Sequence, residues 1–339
     1  MLHAIGALKG VTVNDTAAAG PRIALPAEYD GGGMFLHADT AVTTSSSWGT
    51  NKLYLIPLLA GGVREAEMPA GANAAGASLA HGFQGAHAAV ALRATQRLGL
   101  VTFGAAGAGT VTQLDAVGRC PYDVAAHAGN LWVVDYNAAC DAGYQSLGDS
   151  RLIRVEPNSA VRDTVRLPGV KNATGIIMDG DLAYVSAIGD ADYSAYPAVT
   201  FVTPGSITVV NLRTRQVVGT LSLPQGTNGA TASLGADGRL YVVAYVNTSF
   251  EQGVFAINPA SLSFAGLRNP GSQTLRLTRA SGSPGQCGAA TANALGHVYC
   301  VVNQGAGQST SVVVFHASTG AEIRTVATGG TGGVAIALR

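Results

Sequence analysis

Charge is scarce in this sequence: 12% of its 339 residues are Asp, Glu, Lys or Arg, about half the usual share. Twenty basic residues balance twenty acidic ones, and no block of either sign occurs. The chain therefore lacks the electrostatic footprint of a nucleic-acid or anionic-lipid partner, and neither is expected. Long apolar runs are missing as well. The longest, Leu53 to Val63, is broken by Pro57 and two glycines and falls short of the ~20 residues a membrane helix needs. The chain itself is not expected to span a bilayer. Met1-Leu2-His3 carries neither the basic segment nor the apolar stretch of a secretory signal, so an exported form would have its signal outside this numbering.

Catalytic signatures are sparse too. The seven histidines, at positions 3, 37, 81, 87, 127, 297 and 316, lie apart in sequence except His81 and His87. No H-x-H or H-E-x-x-H suggests metal-assisted hydrolysis, and no G-x-S-x-G elbow suggests a serine hydrolase. Glycine-rich stretches such as Gly329-Gly330-Thr331-Gly332-Gly333 lead into a strand pattern rather than a helix, so they read as turns and not as phosphate cradles.

What is abundant is glycine, 45 residues, nearly twice the normal share, spread between short β-branched runs. No stretch keeps apolar residues at helical spacing over three turns. Strands and turns dominate. One class of run recurs six times: Leu53 to Pro57, Val111 to Asp115, Leu152 to Glu156, Ile207 to Asn211, Val254 to Asn258 and Val312 to His316. With Ile56, Leu114, Val155, Val210, Ile257 and Phe315 taken as equivalent, the spacings are 58, 41, 55, 47 and 58 residues, within the range of propeller blades with loop insertions.

A second class precedes each copy: Met34 to His37, Leu98 to Val101, Leu131 to Val134, Leu182 to Val185, Leu240 to Val243 and Val298 to Val301. A third, small and apolar, comes just before, in Ala88 to Leu92, Tyr122 to Ala126, Gly175 to Asp179, Gly229 to Leu234 and Gly288 to Ala292. A fourth follows several repeats, as in Gln216 to Leu223. Turns such as Asp237-Gly238 and Gly129-Asn130 suit tight hairpins.

Four antiparallel strands per repeat, the innermost small and apolar, describe an all-β propeller of about six four-stranded blades over residues 34–339, with seven as the alternative. Residues 1–33 fit no blade cleanly and read as an N-terminal extension, although Arg22 to Leu25 could be an extra strand. The terminal Gly333 to Leu338 reads as an inner strand whose missing partner is available in Met34 to His37, which would close the ring and remove open edges. A β-sandwich is the competing architecture. It does not explain six in-register copies.

The repeat resembles that of the YVTN-type and NHL-like bacterial propellers, best in Gly235-Ala236-Asp237-Gly238-Arg239-Leu240-Tyr241-Val242 and in Ile207-Thr208-Val209-Val210-Asn211. The likeness covers about residues 88 to 339. It implies the fold and little about activity, because propellers host enzymes, receptors and scaffolds alike.

Four cysteines permit two disulfides. Cys120 and Cys140 centre on the Gly129-Asn130 turn, and Cys287 and Cys300 on the Asn293 to Gly296 turn, so each pair is expected to bridge one inner hairpin. Such bridges imply an oxidising compartment, periplasmic or extracellular. No close Cys/His grouping suggests zinc. The sequons at Asn14, Asn172 and Asn247 would matter only in a glycosylating host, and the bias to alanine and to arginine over lysine suggests a GC-rich bacterium.

Function is read from the connecting loops, taken as 40–50, 136–150, 187–205, 246–252 and 303–310. They hold Trp48, Tyr136, Tyr144, Tyr193, Tyr196, Phe201 and Phe250, residue types that interfaces favour; the competing reading packs them onto the blade tops. Asp135, Asp141, Asp190 and Asp192 make two loops acid-rich, a weak calcium candidate with no established calcium-loop spacing, and no cofactor is otherwise expected. The leading expectation is a non-catalytic propeller that binds another protein, as an accessory subunit on the outer face of a membrane-anchored complex. One alternative is a hydrolase or lyase acting on a small molecule or sugar at the central channel, through Asp123, Asp179 or His127 with a metal. Another is carbohydrate binding. Lactonase-like propellers carry acidic and amide ligands on their inner strands; Asp123 and Asp179 are the only inner carboxylates here.

Overall fold

A computed structural model describes residues 2–4, 7–11, 19–24, 34–37, 40–45, 51–58, 62–80, 83–104, 109–140, 145–157, 162–192, 194, 200–246, 251–285, 287–302, 309–331 and 335–336. All regular structure among them is β, as the periodicity predicts. Six four-stranded antiparallel sheets follow one another through residues 34–331 as the blades of a β-propeller. Blade 1 is Met34–His37, Thr40–Ser45, Lys52–Pro57 and Arg64–Glu67. Blade 2 is Ala74–Leu79, Ala88–Leu92, Arg97–Phe103 and Gly109–Gln113. Blade 3 is Pro121–His127, Asn130–Asp135, Arg151–Val155 and Arg162–Arg166. Blade 4 is Ala173–Asp179, Leu182–Ala187, Ser206–Asn211 and Gln216–Ser222. Blades 5 and 6 open with Asn228–Leu234 and Ala289–Ala292. In every blade the strands pair in sequence order.

A further four-stranded sheet joins the two ends of the chain. Ala335–Ile336 pairs with Leu2–Ala4, which pairs with Ala7–Val11 and through it with Ala19–Ala24. The partner of the C-terminal strand is therefore Leu2–Ala4, where the sequence pointed to Met34 to His37. Both segments are short and apolar, and composition does not separate them. Met34–His37 is instead the first strand of blade 1, paired with Thr40–Ser45, so residues 40–45 are strand and not loop.

The same one-strand slip runs through blade 2. Ala88–Leu92 is its second strand and Arg97–Phe103 its third, because the true first strand, Ala74–Leu79, consists of Ala, Gly, Ser and Leu and carries no β-branched signal. Val101, opposite Ala88, is thus the equivalent of Val155, opposite Leu131. Two of the expected loops also contain short ribbons, Ala138–Ala139 with Gln145–Ser146 and Asp190–Asp192 with Thr200–Thr203.

The chain divides into two compact units: residues 28–187 with 207–219, and residues 1–27, 188–206 and 220–339. In the first, Val42, Leu53, Val90 and Val101 fill the space between blades 1 and 2, Val124, Val133 and Ile153 lie in a core with Ala89 and Leu98, and Trp132, Leu152, Val185 and Val210 pack blade 3 on blade 4. In the second, Tyr241, Val254, Leu277, Val298 and Phe315 form one buried cluster. Alternation along each strand, one side chain to each neighbouring blade, supplies these faces.

Both expected disulfides are present, Cys120–Cys140 and Cys287–Cys300, with Cα atoms 5.6 and 5.0 Å apart. The first closes a 20-residue separation, for which the chain-entropy estimate is about 3 kcal/mol. The Cys120→Ser/Cys140→Ser variant should unfold at lower urea by that amount. An unchanged midpoint would contradict this role. Among the described residues no helix is long and apolar enough to cross a membrane.

Candidate functional site

The chemistry-bearing group that the fold singles out is Asp123, on the first strand of blade 3. Pairing between that strand and Asn130–Asp135 is interrupted by a bulge between Pro121 and Asp123, and bulges re-aim side chains. The bulge is anchored from below. Asp135, fully buried, accepts hydrogen bonds from the backbone N–H groups of Cys120 at 2.8 Å, Arg119 at 3.2 Å and Asn137 at 3.1 Å, and is ion-paired with Arg151. Gly118, at φ +98°, is required there, because a Cβ would lie 2.7 Å from the Asp135 carboxyl carbon.

The Asp123 carboxylate reaches sideways between neighbouring blades. Its Oδ1 accepts the N–H of Val124 at 2.8 Å, and its Oδ2 accepts the N–H of Ile176, on the first strand of blade 4, at 3.0 Å. Glycines leave room on both flanks. A Cβ on Gly76, in the first strand of blade 2, would sit 1.9 Å from Asp123 Oδ1, and one on Gly175 would sit 2.6 Å from Ser186 Oγ and 4.0 Å from Asp123 Oδ2. First strands of three blades thus meet at one carboxyl.

Burial raises the pKa of Asp123 from 3.8 to about 7, against the lowering effect of the Ile176 and Val124 N–H groups. No cationic side chain contributes to the shift. Desolvation without a counter-charge is the arrangement that keeps a carboxylic acid protonated near neutrality. The residue as a whole is half-buried, while its carboxyl end is desolvated. A group of this kind can donate and accept a proton at pH 7, which is what general acid–base work requires.

Gly76→Ala follows as a probe. The new methyl must displace Asp123 or its backbone, for an expected loss of roughly 1–3 kcal/mol in stability together with a changed Asp123 titration. Normal stability and an unshifted titration would show that the close approach is not real.

The other sequence candidates fall elsewhere. Asp179 is exposed at the end of its strand, where its charge adds to the desolvation that raises the Tyr184 pKa. It lies three residues beyond Ile176, about 10 Å along the strand. His127, four residues beyond Asp123, contacts Asp181 at 3.3 Å in an open cleft also lined by Phe35, Ser78 and Leu79; at about 13 Å along the strand it cannot share a reacting bond with Asp123. Asp135 is committed to Arg151 and the bulge, and Asp190 and Asp192 accept hydrogen bonds from Ala191 and Ser194 N–H within their own turns. Asp141 lies outside the described residues. Among the described residues no three His, Cys, Asp or Glu side chains converge as metal ligands.

Of the seven loop aromatics, Tyr136 and Phe201 are buried, and Tyr136 stacks on Tyr122 at 5.5 Å. Trp48, Tyr144, Tyr193, Tyr196 and Phe250 lie outside the described residues. Gly76 and Gly175 had no sequence signal of their own. Register alone reveals their role.

Comparison with known proteins places this geometry in context. No protein-family model matches the chain, and no curated protein matches it. Solved structures do. The periplasmic gluconolactonase of Pseudomonas aeruginosa superposes with a TM-score of 0.54 at 15% identity, over 88% of this chain and 85% of that one. A puromycin hydrolase gives 0.54 at 16% identity, over 88% of this chain but 47% of its own length. Hydrazine synthase of Kuenenia stuttgartiensis gives 0.53 at 10% identity, covering 81% and 73%. At these identities the likeness establishes the propeller fold.

It also corrects the leading functional expectation. The expectation of a non-catalytic protein-binding scaffold rests on the lack of a visible catalytic set; the similar propellers are mostly enzymes, and Asp123, an inner carboxylate already legible in the sequence, is the titrating group that the enzyme alternative names. The YVTN-type and NHL-like resemblance holds at the level of the propeller fold.

Proposed function

We propose that the chain is an enzyme, a hydrolase or lyase acting on a small molecule or sugar, with Asp123 as its general acid–base group. The observation that carries this reading is the desolvated Asp123 carboxyl, without a counter-charge and with its pKa near 7, held where the first strands of three blades meet. In the basic form Asp123 takes the proton of an attacking water or of the carbon acid being cleaved; in the acidic form it returns that proton to the leaving group. The Val124 and Ile176 N–H groups fix the carboxyl plane, and the bulge held by Asp135 fixes its position on the strand. The similar propellers include a gluconolactonase and a puromycin hydrolase. Lactones and aminoacyl amides are therefore the first substrates to test. The two disulfides favour an oxidising location outside the cytoplasm.

The test is a panel of lactones, aryl esters, aminoacyl amides and uronic-acid glycosides, assayed with the purified full chain and with Asp123→Asn. Turnover by the wild type that the variant lacks is expected for at least one class. Turnover that survives the substitution would overturn the role of Asp123, and absence of turnover across the panel would overturn the enzymatic reading for these classes.

A further inference from the structure

Two histidines 19 positions apart in sequence are brought together in blade 6. His297 opens the strand His297–Val302 and His316 closes the strand Ser309–His316, and the two are directly opposite in register. The backbone groups of both turn away from each other. His297 N–H donates to the Asn293 side chain and its C=O accepts from Asn293 N–H, while His316 N–H donates to Ala321 C=O and its C=O accepts from Gly320 N–H. This is the non-hydrogen-bonded kind of antiparallel pair, in which facing side chains approach most closely. The imidazole centroids are 5.0 Å apart with planes at 72°.

Among the described residues no hydrogen bond, ion pair or further aromatic contact is formed by either imidazole. His297 is half-buried and His316 exposed, so a solute can reach both. The turn that carries His297 is rigid: Asn293 Oδ1 accepts the N–H groups of Leu295 and His297, and its Nδ2 donates to Tyr299 Oη at 3.2 Å. One member of the pair is thus held in place before any ligand arrives, which lowers the cost of binding.

We propose that His297 and His316 form a two-imidazole clip for a divalent transition ion of the zinc type. With metal–nitrogen bonds of about 2.0–2.1 Å, two imidazoles on one tetrahedral ion have centroids about 5.2 Å apart, and about 4.5 Å apart at a right angle. The observed 5.0 Å falls between these values. Water completes the coordination, in keeping with the absence of a three-residue ligand group among the described residues. The clip is on the second and third strands of blade 6 and is independent of Asp123. It joins the ends of those strands, and its ligand class is a borderline ion that imidazole suits, rather than the oxygen-preferring calcium or magnesium.

The experiment is calorimetric titration of Zn2+ into the full chain, the single variants His316→Ala and His297→Gln, and the double variant. The wild type should take up one more Zn2+ than the double variant, and each single variant should bind it roughly tenfold or more weakly, with little further loss in the double because one imidazole cannot chelate alone. Co2+ should give a visible absorption band that all three variants lose. Metal-free unfolding midpoints, expected to be near wild type because His316 is exposed, separate loss of ligands from loss of fold. Equal Zn2+ uptake and affinity in wild type and variants would overturn the proposal.

Discussion

Replacing Asp123 by Asn is expected to lower kcat/KM on any substrate of the chain roughly 10²–10⁴-fold, the usual contribution of a positioned acid or base. The wild-type profile of kcat/KM against pH should turn near pH 7, the value to which burial raises this carboxyl, and the residual activity of the variant should lose that inflection. The two effects must appear together. A variant that is merely misfolded would lose rate at every pH and keep the midpoint in its surviving fraction. Asn retains the size of Asp and can still accept one of the two N–H groups of Val124 and Ile176, so the comparison isolates the proton.

The second large effect concerns stability, and its sign is opposite to that of most carboxylates. In the folded chain Asp123 holds its proton up to about pH 7, whereas the unfolded chain releases it near 3.9. Between these values the native state binds more protons, and stability falls as pH rises. Through this group alone the free energy of unfolding should drop by about 2.5 kcal/mol between pH 5 and 7.5. Asp149, Asp163 and Asp192, whose pKa values are lowered by hydrogen bonds to Gly169, Arg154 and Ser194, act at more acid pH, and the window avoids them. Urea midpoints measured across it should slope downward for the wild type and flatten for Asp123→Asn, which should be the more stable protein at pH 8. A variant less stable than wild type at pH 8 would mean that the carboxylate is a structural tie between blades. Loss of activity with gain of stability is the expected mark of a functional group.

Much of the fold was legible because the propeller repeats itself. In blades 3 to 6 the small inner strand, the hairpin turn and the β-branched third strand occur in a fixed order, and the register follows from the turns. The disulfides were readable for the same reason: cysteines flanking a hairpin must be near each other. Reading failed where composition failed. Ala74–Leu79 has no strand signal of its own, since it is stabilised by packing beside Asp123 and blade 1 rather than by propensity, and losing it shifted blade 2 by one strand; in blade 1 the third strand stands where it was expected, and the error was to take Thr40–Ser45 as loop. The pairing of the chain ends depended on choosing between two similar apolar segments.

The site was harder to read than the fold. Asp123 was visible as an inner carboxylate, yet its importance depends on desolvation, and desolvation depends on Gly76 and Gly175 in strands more than forty residues away on either side. Asp135 reads from the sequence as a weak calcium candidate in an acid-rich loop; its burial against Arg151 and three N–H groups gives it a structural role. His297 and His316 looked separate, although the hairpin that pairs Val298 with Phe315 places them opposite each other. Sequence distance hid what register makes plain.

The central claim is that Asp123 carries a proton at neutral pH. Carbon NMR of the chain labelled at the aspartate carboxyl carbon, with Asp123→Asn to assign the resonance, reads that proton directly. A midpoint near pH 7 for the Asp123 resonance is the predicted result. An Asp123 resonance with its midpoint at the unperturbed aspartate value of about 3.9 would contradict it.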